Sequence, residues 1–588
     1  MARRGFAIIF TLLGVACFVS IAGFAVLYML FGREPAVPSD GLLVLRVGGN
    51  LAEVAPADVV GYLRGVKTPT VRAIVDDLRK AKVDPRIRRV LLKPTGFDSP
   101  FWGKVQEIRD AVLDFKKSGK PIYAYLEYGG DREYYLATAA DKVFLMPSAS
   151  LDLQGVATYE VFLRGVFDKV GAVADLHHIG DYKTATNTFT EKGFTAAHKE
   201  MDESLNRDLY EQIIRDIADG RRKNERDVRG LVDDGPFLPE DALHAGLIDD
   251  VAYEDQVNDK LRAGATAHEI DGDDYSRVST TSVGLDKGPR IAVIYAAGEI
   301  TGGRSGYDPV NGPVIGSDTL VDYIRQARHD SSVRAIVLRV DSPGGSTVAS
   351  DAIWRELMIA REERADRPLV ASMSDLAASG GYYIAMPAQV IVAQPSTLTG
   401  SIGIFGGKFV TGGVYEKVGA RIDSTSIGRN AEMNSPARKY NPEELKKLQD
   451  QLQSFYDQFV EKVADARHST PEKIDALAQG RVWTGRQARQ NGLVDQLGGL
   501  DRAIAVAKQR AKIAADAQVE IVTYPPRKSF YEIVSDQFNG TNDSVAMGAW
   551  MSANLTRSEI EALRTVRGPL AMFRRGEPLA LMPFWYIR

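Results

Sequence analysis

Cysteine is almost absent from this chain of 588 residues, where Cys17 stands alone. A disulfide framework and a thiolate metal cluster are thereby excluded. Histidine is scarce as well. His177, His178, His198, His244, His268, His329 and His468 form no HExxH or comparable zinc spacing. His177 and His178 are adjacent and so fall on different faces of either a helix or a strand; no metal is expected. An excess of charge of one sign is also missing: 73 Lys and Arg against 77 Asp and Glu leave a net charge of −4. With no basic run interleaved with aromatics, nucleic acid is not an expected partner. Two motifs fall short of completion. "GSIGIFGGKF" would need glycine at Ile402 and Ser or Thr at Phe409 to make a phosphate loop ending at Lys408. Ala377 stands where a GxSxG elbow around Ser379 needs its first glycine, which disfavours a typical α/β-hydrolase.

What is present begins at the N-terminus. Arg3 and Arg4 precede an uncharged run from Gly5 to Gly32, which ends at Arg33 and Glu34. A bilayer core takes about 20 apolar residues, a cleaved signal core only about 7 to 15. The run is therefore expected to be an uncleaved anchor over residues 1–39, with the N-terminus cytoplasmic and the body on the outer side. At 44% hydrophobic and 26% charged, the remainder is foldable and long enough for several structural units.

The chain also contains itself twice. "VRAIVDDLRKAKVDPRIRRVLLKP" from Val71 answers "TLVDYIRQARHDSSVRAIVLRV" ending at Val340. "YYLATAADKVFLMPSASLDLQG" lies over "YYIAMPAQVIVAQPSTLTGSIG", with Tyr134 to Tyr382 and Pro147 to Pro395 both offset by 248. "VFDKVGA" and "VYEKVGA" keep that offset, and Gly246 and Gly492 close the repeat. A period this long means duplicated domains rather than a solenoid. Within each, short apolar strands such as "RAIVLRV" alternate with helix-period stretches, which predicts βαβ units and a largely parallel sheet. The expected division is an anchor at 1–39, a first copy at 40–265, a joint at 266–289, a second copy at 290–514 and an extension at 515–588. The apolar end of that extension, "GPLAMFRRGEPLALMPFWYIR", is expected to pack on a neighbour.

The copies differ where chemistry would sit. Ser379, Gly380 and Gly381 fall on Asp131, Arg132 and Glu133, and Pro343, Gly344 and Gly345 fall on Phe97, Asp98 and Ser99. In the other direction Lys183 falls on Ala431. Serine survives in one copy and lysine in the other, so two decayed sites can make one whole site. A serine hydroxyl needs a base. Lysine, ordinarily near ~10.4, becomes one when burial lowers its pKa, and Ser–Lys dyads work without histidine. The glycine N–H groups of "DSPGG" and the N–H of Gly380, next after the serine, can receive an oxyanion. Both halves lie on one chain, joined by a short tether, which favours assembly within that chain.

The motifs "VLRVDSPGGS", "AASGGYYIA", "PSTLTGSIGIFGG", "DARHSTPEKI" and "GRVWTGRQARQNGLVDQLGG" together resemble the long, duplicated form of the signal peptide peptidase A family, membrane-anchored serine proteases related in fold to Clp protease and crotonase. That resemblance covers the chain from the anchor to about residue 515. It implies an α/β fold of tandem Clp/crotonase-like βαβ spirals, with Ser379 as nucleophile and Lys183 as general base. Ser401 would hold the lysine, and the Gly345 and Gly380 N–H groups would form the oxyanion hole. It further implies no cofactor, apolar signal peptides as substrates, and membrane lipid contacted through the N-terminal helix. The assembly would be a homotetramer with its body on the periplasmic side of the bacterial inner membrane. Two other classes remain open at this stage: a crotonase-like acyl-thioester enzyme, and a non-catalytic membrane scaffold.

Overall fold

The computed structural model describes residues 34–54, 70–264, 268–308, 312–526, 578–583 and 586–587, with three isolated positions before residue 34. The expected anchor and Cys17 thus lie outside the described residues, apart from the last few positions of the 1–39 segment. Among the described residues no helix is long and apolar enough to cross a membrane.

The duplication is explicit in the sheets. In the first copy six parallel strands run in the order His268–Asp271, Gly41–Gly49, Ile87–Phe97, Ile122–Leu126, Lys142–Leu145, Asp250–Val251. In the second copy Glu520–Tyr524, Arg290–Ala297, Val333–Ser342, Leu369–Ala378, Val390–Ala393 and Gln496–Leu497 repeat that order, again all parallel. Strands covered on both faces read as unbroken apolar runs rather than alternating ones. Ala335–Leu338, the middle of Val333–Ser342, does so, with Arg334 the strand's one exposed residue. Equivalent tyrosines fasten equivalent corners: the Tyr134 hydroxyl donates to the Leu247 carbonyl at 2.6 Å, and that of Tyr382 to Leu493 at 2.9 Å. The repeat also reaches further than sequence similarity does. His268–Asp271 falls within the joint and Glu520–Tyr524 within the C-terminal extension, yet each takes the same edge position beside the first strand of its copy.

A third sheet stitches the copies together. Its order is Gly306–Asp308, Gly312–Gly316, Glu299–Thr301, Gly344–Ser346, Leu579–Leu581, Ile404–Val410, Val173–Ile179. The last strand comes from the first copy and pairs antiparallel with Ile404–Val410 of the second, from Val173 opposite Val410 to Ile179 opposite Ile404. A buried ionic network also joins the copies. The Arg339 guanidinium donates to both carboxylate oxygens of Glu53 at 2.8 Å and to Glu107 at 2.7 Å, both from the first copy. Lys104 of the first copy pairs with Asp341 of the second at 2.7 Å. Fully desolvated charges persist only when paired and hydrogen-bonded in this way. Arg339 holds the Glu53 carboxyl down at about 2 against the opposing effect of burial, the larger single influence.

Candidate active site

Ser379 stands where the strand Leu369–Ala378 turns into the helix Gly380–Ala385. Its backbone is at φ 54°, ψ −113°, a conformation that residues with a side chain hold only under constraint. The constraint is supplied from both sides. The Ser379 N–H donates to the Gly400 carbonyl at 2.7 Å, and its carbonyl accepts the Tyr383 N–H at 2.9 Å. Small neighbours are required here because other backbone passes close by. A carbon added at Gly381 would lie 2.5 Å from the Ser342 carbonyl oxygen, and one added at Gly380 would lie 2.8 Å from Ser350 Oγ.

Lys183 arrives from the other copy. The seam strand Val173–Ile179 delivers the turn 180–183 to the serine, and the Tyr182 N–H is held by the Gln479 carbonyl at 2.8 Å. Lys183 Nζ lies 2.8 Å from Ser379 Oγ and 3.0 Å from both the carbonyl and the hydroxyl oxygen of Ser401. All three side chains are fully buried. Burial alone pushes the Lys183 ammonium well below its ordinary pKa. Ser401 is itself held at φ 49°, with its N–H on the Arg481 carbonyl at 2.7 Å.

Gly345 and Gly380 complete the set. Gly345 belongs to the strand Gly344–Ser346, and Gly344 and Gly380 are neighbours: a carbon added at Gly344 would sit 2.7 Å from the Gly380 nitrogen. The five residues singled out from sequence thus meet in one place, within one chain. A buried amine whose charged form is disfavoured, beside a serine hydroxyl with backbone N–H groups alongside, has the parts needed for acyl transfer through a tetrahedral intermediate.

Sequence reasoning passed over Gly480 and Gly403. A carbon at Gly480 would lie 2.5 Å from the N, Cα and Cβ of Lys183, and one at Gly403 would lie 3.1 Å from Lys183 Cδ. Both glycines stood inside quoted motifs, but nothing in either motif named a partner. The incomplete phosphate loop is explained differently: Lys408 lies in the seam strand, where its Nζ donates to the Met433 carbonyl at 2.7 Å. A second cluster was also missed. Glu160, His198 and Asp202 offer ligand-type atoms all within 4.8 Å of one another. His198 Nε2 lies 2.9 Å from Glu160, and burial, followed by Glu160, pushes the Asp202 carboxyl up to about 8.

The family model described as peptidase family S49 matches this chain twice, over residues 114–268 and 361–514. The chain is 39% identical over 465 residues to "Serine protease SPPA, chloroplastic" of Arabidopsis thaliana, covering 78% of this chain and 68% of that one. It is 35% identical over 506 residues to "Protease 4" of Salmonella typhi, covering 84% and 80% respectively. Against "Protease 4" of Haemophilus influenzae the identity is 30% over 515 residues, covering 83% and 82%.

Proposed function

Because the chain belongs to peptidase family S49 and is a serine peptidase, we propose that it hydrolyses peptide bonds with Ser379 as nucleophile and Lys183 as general base. The observation that carries this assignment is the 2.8 Å approach of Lys183 Nζ to Ser379 Oγ in a fully buried setting. A neutral Lys183 accepts the hydroxyl proton as Ser379 Oγ attacks the scissile carbonyl. The Ser401 carbonyl and hydroxyl, each 3.0 Å away, aim the amine. The N–H groups of Gly345 and Gly380 receive the oxyanion. Lys183 then returns the proton to the leaving amine, and water repeats the sequence on the acyl ester.

The substrates are apolar signal peptides left after secretion, as the signal peptide peptidase A resemblance implies. The uncharged run Gly5–Gly32 supports anchorage in the bacterial inner membrane with the body on the periplasmic side, close to where such peptides remain. The same resemblance supports a homotetramer. A fluorophosphonate probe tests the nucleophile: it labels the wild type and leaves Ser379→Ala unlabelled, in parallel with loss of cleavage of an apolar reporter peptide. Undiminished labelling of Ser379→Ala would move the nucleophile elsewhere.

A further inference from the structure

Away from the dyad, one buried carboxylate lacks a hydrogen-bond donor. Neither oxygen of Asp202 receives a hydrogen bond, and its side chain is more than nine-tenths buried. His198 and Asp202 stand one turn apart on one face of the helix Ala196–Arg221. Glu160, directly after the short strand Thr158–Tyr159, brings a second carboxylate to the same point, its side chain only 2% exposed. One ligand-type atom from each of the three lies within 4.8 Å of the others. Spacing conceals the group from a motif search, because Glu160 and His198 are 38 residues apart.

The charge at this point is unbalanced. Among the described residues no lysine or arginine forms an ion pair with Glu160 or Asp202, and His198 is their shared ionic partner. An imidazole carries at most one positive charge, against two carboxylates. Buried charges persist where they are paired or hold a metal ion. A divalent cation beside a neutral imidazole balances both carboxylates.

The donor set and its spacing fit zinc. His198 Nε2 is 2.9 Å from Glu160 Oε1 and 4.0 Å from Asp202 Oδ2. These separations straddle the ~3.3 Å between neighbouring ligand atoms in a tetrahedron with bonds of ~2.0–2.1 Å. Ca2+ and Mg2+ take oxygen ligands, whereas one imidazole with carboxylates suits Zn2+. The other ring nitrogen of His198, Nδ1, faces the Asn187 amide at 3.4 Å. A metal-bound imidazole needs an acceptor there, and the amide oxygen supplies one when the group is turned over. Phe194 and Phe162 wall the imidazole edge-on, with ring centroids at 4.9 and 6.1 Å.

We propose that Glu160, His198 and Asp202 bind one Zn2+ as a structural ion. The ion ties the end of Thr158–Tyr159 to the first turns of Ala196–Arg221. Through Asn187 it also steadies the turn Thr184–Thr186 that follows Lys183. This site stands whether or not Ser379 is the nucleophile.

The full-length chain, stripped with a chelator and dialysed, is titrated with Zn2+ against a chromophoric chelator, and its melting temperature is followed in parallel. One Zn2+ per chain is expected, with a melting temperature that climbs with the logarithm of free Zn2+ above the Kd. Co2+ in its place is expected to give the visible absorption of a tetrahedral site. Asp202→Asn and Glu160→Gln keep the side-chain shapes and are expected to stay folded by circular dichroism. Each is expected to bind Zn2+ more than about 100-fold more weakly, beyond the cost of losing an outer-shell partner. His178→Ala, which removes an exposed histidine outside the cluster, is expected to bind as the wild type does. Undiminished affinity in Asp202→Asn, lost affinity in His178→Ala, or a wild type that binds no Zn2+ would overturn the proposal.

Discussion

Gly480 lies flat against the backbone of Lys183, so close that a single added carbon would stand 2.5 Å from the lysine's N, Cα and Cβ. It does so at φ 79°, where an L side chain is strained in any case. Gly480→Ala is therefore expected to displace the lysine and to cut kcat/KM by about 10²-fold, the scale for a misplacement of about 1 Å. The folded state should persist by circular dichroism, and a wild-type rate would show that the lysine turn yields without cost.

The pH–rate profile follows from the burial of Lys183, which lowers its pKa. Only the neutral amine accepts the serine proton, so kcat/KM is expected to rise with pH through one ionisation well below the usual ~10.4. A chemistry-limited rate that stays flat from about pH 5 to about pH 10 would exclude lysine as the base.

The same burial has a thermodynamic consequence of opposite usefulness. Between the lowered folded pKa and ~10.4 the unfolded chain binds a proton that the folded chain does not, so this group's contribution to stability increases with pH across that window. Lys183→Met keeps the shape and removes the titration. It is expected to be inactive and to melt above the wild type near neutrality, with the gap closing as pH approaches ~10.4. A gap that does not change with pH would contradict the assignment.

Ser401 holds the lysine with one of its two oxygens from the side chain, at 3.0 Å. Ser401→Ala removes that bond and leaves the carbonyl in place. Loss of one such bond costs about 1 kcal/mol, hence roughly a fivefold lower kcat, measured with reporter peptide at saturation. An unchanged kcat would deny the hydroxyl any part in aiming the amine.

Arg339 joins the copies through Glu53 and Glu107. Arg339→Met leaves two buried carboxylates without the guanidinium that pairs them, with the Ser374 hydroxyl still donating to Glu53 and the Leu500 N–H to Glu107, and it is expected to cost about 3–5 kcal/mol in a chemical-denaturation measurement. A loss below about 1 kcal/mol would mean that water reaches the seam.

The serine and the lysine were legible in the sequence because the duplication served as its own control: Asp131 occupies the place of Ser379, and Ala431 that of Lys183. Asp131 has since found another task, accepting the N–H groups of Gln154 and Gly155 at 2.9 and 3.0 Å. The twin parallel sheets were legible from apolar runs. The outer strands were not. "HEID" at 268–271 carries three polar residues in four and has half of its pattern exposed, so it reads as part of the joint. Arg339 was hidden inside "VLRV", which reads as an apolar strand, because a buried arginine is recognisable only once its carboxylates are in place. Gly480, Gly403 and the partner of the apolar tail were invisible for a related reason. Each is defined by a contact with a residue distant in sequence, and periodicity reports only near neighbours.

The sole influence on the Lys183 pKa is burial, and this has a bearing on which molecules can enter. With the amine in its neutral form, which burial favours, amine and hydroxyl carry no net charge and the remaining donors are peptide groups. An apolar segment can then approach without stripping water from an ion. Charge then arises during reaction, as an ammonium and an oxyanion formed together a few ångströms apart in a buried setting, where they attract strongly. That attraction exists in the transition state and not before it, so it lowers the barrier without tightening the hold on the peptide. A site of this kind discriminates little at the point of attack, and selection among peptides falls to contacts away from the dyad.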